Sequence, residues 1–225
     1  MRVAAVADIH SNIHALRVVL EELTRSGVEM VVCAGDTVGY GAFPDECCVE
    51  VKRIAPYAVR GNHDVSALTG DTSGMNPYAA ESALWTAGRI GEDTAGFLRG
   101  LGDRASFTAG GASFAMFHGS PRDPVEYVFE DGLTPALVEG MAEDILVLGH
   151  THVPFVSRLG DLTVVNPGSV GQPRDGDPRA SFAVIDTSSM DVNIVRKAYD
   201  VDAAAEAISR CGIPGILGQR LRDGR

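Results

Sequence analysis

Apolar positions come in short blocks along the first quarter of the chain, and polar clusters separate them. Arg2 to Ala7 reads as a short strand buried on both faces. Asn12 caps a helix running to about Ser26, with Ala15, Leu16, Val19, Leu20 and Leu23 at helical spacing, and Gly27 stops it. Met30 to Ala34 is a second buried strand, ending at Gly35-Asp36. Pro44 to Arg53 reads as a helix with proline in its first turn. Ala55 to Val59 is a third strand, ending at Gly61-Asn62. This strand–helix–strand–helix–strand order is that of a parallel α/β unit.

The pattern is less regular further on. Pro77 to Leu101 reads as mostly helical, weakened by Gly88, Gly91 and Gly96. Ala112 to Phe117 is a strand ending at His118-Gly119. Thr134 to Ala142 reads as a helix capped by Thr134, with Pro135 first in it. Ile145 to Leu148 is a strand ending at Gly149-His150. Phe155–Arg158 with Leu162–Val165, and Ala180–Asp186 with Val192–Ala198, read as two hairpins. Asp202 to Arg210 closes the series as a helix. No repeat or linker divides the chain, so residues 1–225 are read as one α/β domain.

The predicted strands share a property that their packing does not require. They end in side chains able to hold a metal ion: Asp8-Ile9-His10, Gly35-Asp36, Gly61-Asn62-His63-Asp64, His118-Gly119 and Gly149-His150-Thr151-His152. In open α/β sheets ligands bind beyond the carboxyl ends of strands, so these ends converge on one site. Five of the six histidines lie in these blocks; the sixth, His14, reads as a helix-face residue.

The five blocks, in this order, resemble the calcineurin-like metallophosphoesterases, and most of all the small single-domain bacterial and archaeal members. Asn166-Pro167-Gly168-Ser169 adds to the likeness. The resemblance implies a four-layer α/β/β/α fold, a β-sandwich flanked by helices. It also implies two divalent metal ions. Asp8, His10 and His152 would hold one, Asn62, His118 and His150 the other, and Asp36 would bridge them. These O and N donors suit Mn, Fe, Zn, Co or Ni, with Mn taken first. The implied reaction is hydrolysis of a phosphate ester by a hydroxide bridging the ions. Asn62 and His63 would meet the substrate, with His63 as the catalytic acid or charge stabiliser. The larger protein phosphatases carry an Asp-Arg-Gly after the Gly-Asp block; here the stretch reads Gly35-Asp36-Thr37-Val38-Gly39-Tyr40-Gly41, so their phosphate arginine is absent, which argues against a phosphoprotein substrate.

Composition narrows the partners. A net charge of −11 argues against general nucleic-acid binding, while a metal pair still admits a small phosphate ester or nucleotide. Four cysteines without a C-x-x-C pair suit a reducing cytoplasm, and no apolar run is long enough to span a membrane. A monomer or small homo-oligomer is expected. The rival functions are a non-catalytic metal-binding scaffold on the same fold, a diadenosine polyphosphate hydrolase and a nuclease. Tyr40, Arg60, Arg122, Arg174 and Arg179 are candidate substrate contacts, read by preference as loop-packing or solvated residues. Asp64 is read as orienting its own loop.

Overall fold

The computed structural model describes residues 1–225. Its first sheet collects the predicted buried strands: β1 (Arg2–Val6), β2 (Met30–Cys33) and the two-residue β3 (Tyr57–Ala58). These are linked by α1 (Ile13–Arg25) and α2 (Pro44–Ile54). Asn12 caps α1 through its Oδ1 and the Ala15 N–H. Then come α3 (Asn62–Thr69), α4 (Pro77–Ala87) and α5 (Glu92–Gly100). The single helical stretch expected over 77–101 is thus two helices, broken at Gly88–Gly91, where propensity is lowest.

The second sheet uses β4 (Arg104–Ala109), β5 (Ala112–Phe117), β6 (Ile145–Val147), β7 (Phe155–Leu159) and β8 (Leu162–Asn166). β9 (Ala180–Asp186) and β10 (Asp191–Lys197) return to the first sheet, and α6 (Val201–Arg210) and α7 (Gly215–Asp223) end the chain. The strand orders are β10-β9-β1-β2-β3 and β4-β5-β6-β8-β7. β1, β2 and β3 run parallel, as do β5, β6 and β8.

Alternation along β1 explains the layering. Val3, Ala5 and Ala7 face Phe114, Met116, Ile145 and Val147 of the other sheet, while Ala4 and Val6 face Ile13, Leu16 and Val19 of α1. The result is a sandwich of two mixed sheets flanked by helices, as expected. The outer face of the second sheet is covered differently from the expectation. Where a helix over 134–142 was read, only a short 3-10 turn forms, Pro135–Val138, and Gly140 takes a left-handed φ of +79°. Leu137 and Val128 still close that face over Leu146 and Val164. No helix is long and apolar enough to cross a membrane.

Candidate metal centre

The parallel strands of both sheets deliver their carboxyl ends to one edge of the sandwich, and the predicted residues meet there. β1 delivers Asp8 and His10, β2 Asp36, β3 Asn62, β5 His118, and β6 His150 and His152. Three groups have ligand atoms within 4.8 Å of one another: Asp8–His10–His152, Asp36–His118–His150 and His10–Asp36–His63. All these side chains are buried.

The backbone is forced into place here. Asp8, His10, Ser11, Asp36, Tyr40, His150 and His152 all have positive φ, between 49° and 68°, and only Met190 does so elsewhere among non-glycines. Each such residue costs roughly 1–3 kcal/mol, which persists only where surrounding structure over-determines it. Glycine is required beside them. A β-carbon on Gly35, whose φ is +93°, would lie 2.7 Å from His118 Nδ1, and one on Gly61 would strike the Asp36 carboxylate.

Hydrogen bonding fixes which atoms face inward. His10 Nδ1 donates to the Val38 carbonyl (3.1 Å), His118 Nδ1 to Ala34 (2.8 Å) and His150 Nε2 to Val125 (3.1 Å). His152 Nδ1 donates to Gln172. Each ring thereby commits one N–H to the backbone and turns its other nitrogen inward. His10 Nε2 and His152 Nε2 face each other at 3.0 Å, and His118 Nε2 and His150 Nδ1 at 3.1 Å. Asn62 Oδ1 joins the second pair, 3.2 Å from His118 Nε2.

The carboxylates behave alike. Asp8 Oδ2 accepts the His150 N–H (3.0 Å) and Asp36 Oδ1 the His63 N–H (2.8 Å). Their other oxygens, Asp8 Oδ1 and Asp36 Oδ2, are buried without a hydrogen-bond partner. Asp36 Oδ2 stands between the groups, 3.3 Å from His118 Nε2 and 3.7 Å from His10 Nε2. Asp8 Oδ1 is 3.4 Å from His152 Nε2. Buried orphan anions beside inward imidazole nitrogens are costly unless a cation lies among them. The donor set fits divalent ions.

Burial pushes His63 and His150 down to about 4, and His10 and His152 well below the usual histidine range, so four rings are held in the neutral, ligating form. For His118 burial also favours the neutral ring, but the Asp36 and Asp8 carboxylates outweigh it and raise it to about 10. Burial, reinforced by Asp36, raises Asp8 to about 8.

Other expectations resolve individually. His63 lines the cavity beside the cluster, its Nδ1 buried without a hydrogen-bond partner and its ring near the Asp36 carboxylate. Asp64 turns away from it, accepting from Val38 N (3.0 Å) and Gly61 N (2.9 Å). Asn166 and Ser169 brace the site rather than face it: Asn166 donates to Gly149 O (2.8 Å) and Ser169 Oγ to Asp8 O (2.7 Å). His14 packs on Phe43, 5.5 Å between ring centres. Arg60, Arg122 and Arg179 pair with Asp103, Glu126 and Asp177 at the surface. Arg174 alone of the four arginines turns toward the site, its guanidinium bonded to the Tyr40 hydroxyl at 3.1 Å. The backbone anchors Val38, Val125 and Gln172 were missed, since a carbonyl leaves no signal in residue type.

The cavity measures about 370 Å³ and opens over Asn62, His63 and His150, between Ser73–Asn76 on one side and Val125 and Tyr127 on the other. Its walls are Tyr40 after β2, Met75, Asn76 and Ala79 around the start of α4, and Val125 and Tyr127 in the loop after β5.

Comparison with known proteins places this geometry. The profile of the Calcineurin-like phosphoesterase superfamily domain matches residues 1–190. MJ0912, an uncharacterised protein of Methanocaldococcus jannaschii, is 36% identical over 99% of this chain and 98% of its own length. Phosphodiesterase YfcE of Escherichia coli K12 is 29% identical over 85% of this chain and 91% of its own. The crystal structure of a metallophosphoesterase from Sphaerobacter thermophilus superposes with a TM-score of 0.87 at 31% identity, covering 100% of this chain and 99% of that one. The chain belongs to the calcineurin-like phosphoesterase superfamily and is, by family, a metal-dependent phosphoesterase.

Proposed function

We propose that the protein hydrolyses small phosphate esters or nucleotides with two divalent ions, manganese first among the candidates. Asp8, His10 and His152 hold one ion, Asn62, His118 and His150 the other, and Asp36 both. The observation that carries this reading is the pair of buried orphan oxygens, Asp8 Oδ1 and Asp36 Oδ2, each aimed at inward imidazole nitrogens. When bound, such ions activate water and neutralise the charge that develops on a phosphoryl group.

The chain's own residues do the rest. The Asp36 oxygen close to both His10 and His118 keeps the two groups in one frame. The backbone carbonyls behind His10, His118, His150 and His152 prevent the rings from turning away. Asn62 and His63 border the cavity where a substrate phosphate enters. His63, held neutral by burial, serves as a hydrogen-bond donor to the leaving oxygen; an acid role would first need an imidazolium, which its surroundings disfavour. The cavity volume suits a small molecule.

The test is metal-stripped protein reloaded in turn with Mn, Zn, Co, Ni and Mg. It is assayed on p-nitrophenyl phosphate, its bis ester, 2′,3′-cyclic AMP and diadenosine tetraphosphate. Metal-restored turnover should fall by about a hundredfold or more in Asp36→Ala and His118→Ala. Full activity in both variants would sink the assignment.

A further inference from the structure

Tyr127, Val128 and Phe129 follow one another in the irregular stretch between β5 and β6, and their burial alternates as it does along a strand. Val128 turns inward and packs with Leu146 and Val164. Tyr127 and Phe129 turn outward and are 53% and 43% exposed. Their rings lie within 12° of parallel, 6.3 Å between centres. Val125, two residues earlier, is also exposed, so three of the eight large hydrophobic side chains left at the surface fall within these five residues. An apolar cluster of this kind, at the rim of a polar cavity, marks a place where a ligand lands.

The stretch is fastened to the site. The Val125 carbonyl accepts His150 Nε2 (3.1 Å), and the Tyr127 ring packs on the His150 ring, 4.1 Å between centres. Ser120 N donates to the Asp123 carbonyl (2.9 Å), and Arg122 Nε to Glu126 Oε2 (3.0 Å). The chain folds back so closely that a β-carbon on Gly119 would stand 2.6 Å from the Pro124 carbonyl. Tyr127 is thus held in place before any ligand arrives, and little ordering entropy opposes binding to it. The opposite side of the cavity carries Ser66, Ser73 and Asn76. Asn76 Oδ1 is spent on capping α4, accepting the N–H groups of Tyr78 and Ala79 (3.1 Å each), while its NH₂ donates to no protein atom.

A phosphate beside His150 occupies only a small part of a cavity of about 370 Å³. What remains has an aromatic ring on one wall and small polar side chains on the other. Aromatic faces attract planar rings by stacking, and hydroxyl and amide groups suit the nitrogen-bearing edge of such a ring or the hydroxyls of a sugar. We propose that Tyr127 is a base platform: the base of a nucleotide stacks on it while the phosphate lies among the candidate metal ligands, which makes nucleotides the preferred substrate class over sugar phosphates. This rests on the phosphoesterase reading above. Every base has a π-face, so the platform separates nucleotides from other esters without choosing among bases.

The test is competition against bis(p-nitrophenyl) phosphate at fixed free manganese, comparing adenosine 5′-monophosphate with ribose 5-phosphate, which has the sugar and phosphate but no base. The wild type should bind the nucleotide about five- to a hundredfold more tightly. Both ligands share the phosphate end, so their ratio isolates the base. Tyr127→Ala and Tyr127→Leu should each move the ratio toward one, and Tyr127→Phe should retain it. Leucine keeps apolar cover on the His150 ring without offering a π-face. A ratio lost in Tyr127→Ala but kept in Tyr127→Leu would therefore assign the tyrosine a structural part only and overturn the platform. A wild-type ratio near one, or a ratio unchanged in Tyr127→Ala, overturns it equally. If the bis ester is not turned over, calorimetric titration of the manganese-loaded protein with the same two ligands gives the ratio directly. A base-dependent ratio without turnover of any ester removes the hydrolytic reading and keeps the platform; turnover with a ratio of one does the reverse; binding of neither ligand removes the platform.

Discussion

Asp64 joins two turns that carry candidate metal ligands. It is fully buried; Oδ1 accepts the Val38 N–H (3.0 Å) and Oδ2 the Gly61 N–H (2.9 Å). Val38 in turn receives His10 Nδ1, and Gly61 precedes Asn62. Asp64→Asn keeps the shape but sets an amide NH₂ against one of the two backbone donors. One buried donor then loses its acceptor, which costs about 1–3 kcal/mol, and above about pH 7, to which burial and the Asp36 charge raise this carboxyl, the other bond loses its charge assistance, about 1 kcal/mol more. The sum is about 2–4 kcal/mol. At about 2–4 °C per kcal/mol for a chain of this size, the melting temperature should fall by about 4–16 °C. Urea unfolding of metal-stripped wild type and variant, followed by two probes to establish two-state behaviour, measures this without a metal contribution. A change below about 0.5 kcal/mol, the range of an ordinary surface substitution, would refute the claim that this carboxylate ties the turns.

Metal affinity should depend on pH. Burial works against the charged His118 ring, but Asp36 and Asp8 hold its proton up to about pH 10, and burial with Asp36 holds a proton on Asp8 up to about 8. The proton-bound form is the metal-free one, so raising the pH favours loading. Manganese affinity should climb from pH 6 to 8, by up to about tenfold per unit for each proton released; a flat profile by calorimetry would contradict this. Arg60→Ala should leave turnover unchanged and cost less than about 1 kcal/mol, because its bond to Asp103 is a surface ion pair; a tenfold loss of kcat/KM would show that Arg60 meets substrate.

The convergence of the candidate ligands was legible in the sequence because they lie at strand ends, where an apolar run meets a glycine and then an Asp, Asn or His. Residue type and position both mark such a site. The bracing behind it was less legible. Val38, Val125 and Gln172 act through backbone carbonyls, and Arg174 comes from the Pro/Gly-rich loop 167–178, whose course no periodicity predicts. Some elements were missed although a signal existed. β4 pairs with β5 across Gly110-Gly111, both at positive φ, a two-residue hairpin turn that its glycines advertise. α3 begins inside the Gly61–Asp64 block, where Asp64 accepts the N–H of the capping Gly61, so a ligand motif also served as a helix start. α7 contains Gly215 and Gly218, which lower its propensity. Gly218 packs directly on Ala205 of α6, so tertiary contact decides that helix.

The proposal of a two-ion centre is tested most directly by counting ions. Protein stripped and reloaded with manganese should carry two per chain by elemental analysis. Anomalous diffraction should then place them at Asp8–His10–His152 and at Asn62–His118–His150, with Asp36 between. Asp36→Asn should retain one ion or none. A wild type that holds fewer than two, or an Asp36→Asn variant that keeps both at full affinity, would contradict the account.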